Sequence, residues 1–291
     1  MRFSVITTSQ LMCRLNAFIQ STPGEKVKYA RKRARMMKND LGDMTDELLL
    51  SHLMLNESRM QAFVDQYEEK KHVVTSGLVL NRRLMSLTRN FVNCALPRAI
   101  THILSVLQKG ARKSVDSEVD QALDTLFDDR EHLYGKLRFM LAMIKSPALL
   151  SEVVYTDRIT FENVYDPVTS SLESGSGELY GLAFSEFMGV ELCMLINHRC
   201  VDVNEIYVPK VRGFSHEFYL YVVFHELSHL LVGSDDNSYS YRSDDAVEDF
   251  NVYSTLNLKS NEKNNADNYG TLIFIVLALM HKRGQINLKR F

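Results

Sequence analysis

A chain of 291 residues with 45% hydrophobic and 24% charged side chains has the make-up of a folded globular protein, with length for one large domain or two modest ones. Its formal net charge of −2 lacks the positive excess that nucleic-acid binders carry, so composition gives no clear nucleic-acid reading. The most apolar run, Leu272 to Met280, falls well short of the ~18 residues of a membrane span.

The N-terminus, MRFSVITTSQLMCRLNAF, lacks the apolar core of a secretory signal. Cys13, Cys94, Cys193 and Cys200 contain no C-x-x-C pair and are too sparse for a disulfide framework. Reduced thiols are therefore expected, with a Cys193–Cys200 bridge as the alternative. These features predict a cytoplasmic protein, or an effector or toxin exported by a dedicated secretion system. From Ser21 to Asp40 an expected helix carries Lys26, Lys28, Arg31, Lys32, Arg33, Arg35 and Lys38. Such a run can attract an acidic partner or an anionic surface. The charges go most of the way round the helix, however, and only Tyr29 accompanies them. A solvated face is the better expectation.

From about Thr45 to Lys109 apolar residues recur at helical spacing: Leu48, Leu49 and Leu53, then Leu78, Leu80, Leu84 and Leu87. Pro97 interrupts the pattern. Met36, Met37, Met44, Met54, Met60 and Met85 read as core filler, and His52, His72 and His102 are isolated. The spacing predicts a module of three to five helices. Gly110 to Glu118 reads as a linker or loop, and a further helix is expected from Val119 to Ile144, ended by Pro147. VVYTDRITFENVY, from Val153, has the β-branched and aromatic make-up of strands, as does VDVNEIYV from Val201. SSLESGSGELYG between them reads as a loop.

FYLYVVFHELSHLLVG, Phe218 to Gly233, predicts an amphipathic helix through Leu220, Val223, Phe224, Leu227, Leu230 and Leu231. Gly213 and Ser215 offer its start and Gly233 its C-cap. The same spacing projects His225 and His229 onto the other face, one turn apart, with Glu226 between them. In this H-E-x-x-H arrangement two imidazoles share a metal, and the carboxylate reaches its water. A third ligand must come from elsewhere. Asp235, Asp236, Asp244, Asp245, Glu248 and Asp249 all follow closely, and spacing does not choose among them. The acidic cluster around Asp244 reads first as a solvated face. Asn265 then predicts an N-cap, with Asp267 in the first turn where the helix dipole favours an anion. That helix runs on to His281, Lys282 and Arg283, with Gly284 as its stop.

HELSHLLVGSDDNSY resembles the aspzincin metallopeptidases, the deuterolysin and peptidyl-Lys metalloendopeptidase group, whose signature is H-E-x-x-H followed by G-T-x-D-x-x-Y-G. Gly233, Ser234, Asp236 and Tyr239 stand at the G, T, D and Y positions, with Ser234 for threonine and Ser240 for the final glycine. The family's N-A-D-x-Y element is matched by Asn265-Ala266-Asp267-Asn268-Tyr269. Lysine-specific members follow it with an acidic residue. Gly270 stands there in this chain, so lysine specificity is not implied.

The resemblance implies a zinc-dependent endopeptidase acting on a protein or peptide substrate. Zn2+ would be held by His225, His229 and Asp236. Glu226 would serve as base and proton shuttle, and Tyr239 would steady the oxyanion. Asp267 would lie near the metal or bind substrate at the floor of the pocket that receives the residue after the cut. The implied fold is α+β, mainly α. A zincin-like metallopeptidase domain with a small sheet would span 119–291. A helical N-terminal region, 1–118, would precede it as a recognition or regulatory module for a target or an export chaperone. Two other readings follow from the residues. One is a gluzincin-like site with Glu248 as third ligand, supported by its i, i+3 pairing with Asp245. The other is a non-catalytic helical adaptor with structural zinc or none. Structural zinc usually draws on cysteines, and none lies near the motif.

Overall fold

The computed structural model describes residues 1–28, 78–109, 116–156, 164–166, 171–173, 180–184, 191–201, 216–234 and 265–290. Among these the fold is mainly helical with a small four-stranded sheet. The chain packs as two compact units built from interleaved segments. One contains Met1, Ser86–Ser146 and Cys200–Phe291, and the other contains Arg2–Met85 and Pro147–Arg199. The stretch Ser86–Ser146 lies within the first of these units.

In the sheet-bearing unit, β1 (Arg2–Val5) pairs in parallel with β2 (Leu150–Thr156). Helix α1 (Thr8–Ile19) follows β1 and opens on a capping box, in which Thr7 and Gln10 satisfy each other's backbone N–H. Two short strands, β3 (Val164–Asp166) and β4 (Ser171–Glu173), form a separate antiparallel pair. Part of the segment expected as a loop is therefore strand. β5 (Gly181–Phe184) pairs antiparallel with β6 (Glu191–Asn197), and β6 lies parallel beside β2 to give the order β1-β2-β6-β5. Consecutive residues Val153, Val154 and Tyr155 on β2, and Cys193 to Ile196 on β6, are all buried. Both faces of these central strands are covered, which explains their continuous apolar runs in place of alternation. Buried Glu152 on β2 is held by an ion pair with Arg14 of α1.

Helix α2 (Leu78–Asn90) enters a π turn at Phe91–Ala95 and continues as α3 (Leu96–Lys109). The interruption expected at Pro97 is thus a π turn just before it, and the helix continues beyond. The wider turn, closed by the Leu96 N–H on the Phe91 carbonyl, accommodates its ring and its missing donor. The single helix expected from Val119 to Ile144 is two, α4 (Ser117–Leu126) and α5 (Arg130–Lys145). Phe127 turns to extended backbone and packs its ring on Tyr269, with centroids 5.3 Å apart. Asp129 then restarts the helix by accepting from the His132 N–H at 2.9 Å. Tertiary contact of one aromatic ring outweighs local helical preference here.

Helices α6 (Glu217–Val232) and α7 (Ala266–Lys282) pack against each other in the same unit. Helix α5 also lies on α6, while α3 and α4 lie on α7. The apolar run of α7 is buried throughout, as its sequence predicts. Each Val, Leu, Ile, Phe or Met side chain in that run contributes about 1.5–3 kcal/mol on leaving water. All four cysteines are free thiols, so no Cys193–Cys200 bridge forms. No helix among the described residues is long and apolar enough to cross a membrane. The basic residues Arg31 to Lys38, the segment 45–77 and the acidic cluster at 244–249 lie outside the described residues, as does the strand expected from Val201 to Val208 except for Val201 itself, which closes a short 3-10 turn, His198–Val201.

Candidate metal centre

The H-E-x-x-H helix occupies nearly the bounds its sequence predicts, from Glu217 to Val232. Its N-cap is His216, and Gly233 ends it at φ 62°, ψ 43°, a left-handed conformation that glycine adopts without a Cβ penalty. The Lys136 ammonium of α5 donates to the Val232 carbonyl at 2.7 Å, placing a cation at the negative end of the helix dipole. The turn after His229 is thereby held from both sides.

One expectation changes. The helix has less of a polar face than an amphipathic helix shows, because thirteen of its sixteen residues are buried. His225 is 9% exposed and Glu226 only 5%. The polar side meets other parts of the fold rather than water. A carboxylate and an imidazole held this deep carry a desolvation cost that a merely structural helix would avoid with apolar residues.

Both imidazoles are oriented through Nδ1. The His229 Nδ1 lies 2.6 Å from the Ser234 carbonyl oxygen. A carbonyl only accepts, so Nδ1 carries the proton and the ring lone pair is on Nε2. The His225 Nδ1 lies 3.2 Å from Asp267 Oδ1, and the same oxygen accepts the Tyr221 hydroxyl at 2.5 Å. Asp267 is 4% exposed and sits in the first turn of α7, where its negative charge meets the helix N-terminus. The two imidazole rings stand edge to face, 4.8 Å between centroids. Backbone carbonyls and carboxylates on the second nitrogen are the usual partners that orient metal-binding histidines. Two imidazoles in this tautomer, one turn apart, can present Nε2 to a divalent transition metal.

Ser234 has a second contact. Its hydroxyl lies 2.6 Å from that of Ser228, which in turn donates to the His225 carbonyl at 2.8 Å. The turn that leads towards Asp236 is thus tied back onto the helix.

The structure brings His225, Glu226, His229 and Asp267 into one region, the last from an element 42 residues beyond His225. Asp236, Tyr239 and Glu248 lie outside the described residues. Among the described residues no three His, Cys, Asp or Glu side chains form a group able to hold a metal ion by themselves. Asn265 occupies the expected N-cap position of α7, but its side chain bonds Asn268 rather than a backbone N–H.

Sequence reasoning missed Tyr221 and Lys136. Tyr221 precedes His225 by one turn, so its i, i+4 relation to the motif was a usable signal. Lys136 lies 96 residues from its partner and offered none. Comparison with family models, with curated proteins and with solved structures gives no match for this chain.

Proposed function

We propose that the chain is a zinc-dependent endopeptidase, a hydrolase of peptide bonds in a protein substrate. The observation that carries this reading is the commitment of both Nδ1 atoms, of His225 to Asp267 and of His229 to the Ser234 carbonyl. Two histidines that merely shared a buried helix would not need matching tautomers aimed by separate elements. His225 and His229 would hold the metal, with Asp236 as the third ligand. Zinc, when bound, supplies the Lewis acidity that brings a water molecule's pKa towards neutrality and polarises a carbonyl.

The chain's own groups do the rest. The Glu226 carboxylate takes one proton from the attacking water and delivers it to the departing amine nitrogen, which balances the hydrolysis. Tyr239 donates its hydroxyl to the carbonyl oxygen as negative charge develops there. Burial of Glu226 supports the role, because a carboxylate away from bulk water transfers protons only within the site.

The test is mass spectrometry of a mixed peptide library incubated with zinc-loaded protein, beside Glu226→Gln, with zinc content measured for both. The wild type should cleave, and the variant should keep its zinc while losing about 10²–10⁴-fold in turnover. Equal cleavage by the two proteins would remove Glu226 from the mechanism.

A further inference from the structure

We propose that Tyr221 is a positioning residue for the metal ligand His225, acting through Asp267, and that Gly270 is the position that makes room for it. The inference rests on the zinc reading of His225 and His229 and says how that site is built.

Three observations converge. Tyr221 donates its hydroxyl to Asp267 Oδ1 at 2.5 Å, and the His225 Nδ1 lies 3.2 Å from the same oxygen. A single carboxylate oxygen therefore receives the phenol and the imidazole together. The Tyr221 ring is pinned in turn: it meets Phe274 edge-on at 5.5 Å between centroids, one turn along α7 from Gly270. Finally, a Cβ at residue 270 would stand 2.6 Å from Tyr221 Cε2, 3.0 Å from Cζ and 3.2 Å from the hydroxyl oxygen. Separations below 3.0 Å force something to move, and Tyr221 is 4% exposed among packed neighbours.

These facts give Gly270 a physical reason. Helix α7 gives up the helix-favouring side chain that position could carry, at a cost of about 1 kcal/mol relative to alanine, and the Tyr221 phenol occupies the space. Any side chain at 270 would push the ring away and break its bond to Asp267. Residue 270 thus serves the metal ligand. Without the phenol, Asp267 keeps its place in the first turn of α7 but loses the donor that fixes the rotation of its carboxylate. His225 is then free to tilt. A bound metal feels that tilt as lost affinity, since outer partners of ligating histidines typically contribute about 10–100-fold.

The experiment uses the full chain and zinc itself. Zinc affinity is measured by competition with a chromophoric chelator for the wild type, Tyr221→Phe and Gly270→Ala. Visible absorption of the Co2+-substituted proteins reports ligand geometry, and melting of the metal-free proteins reports the fold. Tyr221→Phe keeps the ring and removes only the hydroxyl. It should weaken zinc by about 10–100-fold and alter the cobalt spectrum. Gly270→Ala should do the same with the phenol intact, and it carries the test should Tyr221→Phe not fold. In a Tyr221→Ala background, Gly270→Ala should then have no further effect on zinc, because its partner is gone. Wild-type affinity and an unchanged cobalt spectrum in Tyr221→Phe would overturn the inference and leave the zinc site standing. A wild type that binds no zinc would overturn both.

Discussion

Two aspartate–histidine pairs in the same unit resemble each other in composition and do different work. Asp116, the N-cap of α4, accepts from the His102 Nε2 at 2.8 Å and from the Val119 N–H at 3.3 Å. It also takes both arms of the Arg283 guanidinium, just beyond α7. Asp267, at the other end of α7, receives a phenol and an imidazole. At Asp116 the guanidinium is the dominant partner, and His102 is about a quarter exposed. At Asp267 the imidazole belongs to a helix buried on nearly every side. The first pair staples α4 to the end of α7. The second aims a ring. A histidine beside a carboxylate is therefore informative only when one asks what else the carboxylate holds and what faces the ring's other nitrogen.

Substitutions at the proposed third ligand, at the staple and at a neighbouring phenol would test this contrast. The largest effect is expected from the proposed third ligand. Asp236→Ala should lose zinc by more than the roughly 10–100-fold of an outer partner, measured by chelator competition. Retention by Asp236→Ala, together with release by Glu248→Ala, would move the site to the gluzincin-like arrangement.

Next comes Asp116→Ala, which should lower stability by about 2 kcal/mol through loss of a cap and a half-buried ion pair. Zinc affinity should not change. The pH dependence has a definite sign. The Arg283 guanidinium holds the Asp116 carboxyl well below its ordinary value of 3.8, with His102 and the Val119 N–H adding to it against the cost of burial. Its contribution is therefore complete above the unfolded value and is lost as pH falls below about 4. Wild-type melting temperature should drop more steeply than that of Asp116→Ala between about pH 5 and pH 2.5. Parallel curves would mean the staple contributes nothing.

The smallest effect is expected at Tyr269, whose buried hydroxyl makes no hydrogen bond among the described residues. Burial raises the pKa of this phenol, since its charged form would have no water. Tyr269→Phe should change stability by less than about 1 kcal/mol and leave zinc untouched, because no hydrogen bond offsets the desolvation of the removed group. A loss above about 2 kcal/mol in denaturant melts would reveal a partner for that oxygen.

The candidate site was partly legible because its local features are contiguous. Periodicity and the glycine at 233 mark α6, and Gly284 marks the end of α7. The pairing of His225 with His229 needs only a one-turn spacing. These depend on residues within about four positions of one another, which a linear sequence displays. The resemblance implies a place near the metal or in the substrate pocket for Asp267, and in the structure it lies against His225. Its phenol partner and the reason for Gly270 were not visible, since they depend on how α6 lies against α7.

The sequence by itself determined where these two helices run, where they stop and that His225 and His229 lie one turn apart, because helix geometry and capping are short-range. Tertiary structure decided that the polar side of α6 is covered. It split the chain at Phe127 by giving that ring a distant partner in Tyr269. It also carried the helix through Pro97 on a widened turn. Finally, it set a partner against the Nδ1 of both His225 and His229. Burial, ring packing and the identity of the group on Nδ1 are properties of neighbours distant in sequence, and only packing brings those neighbours together.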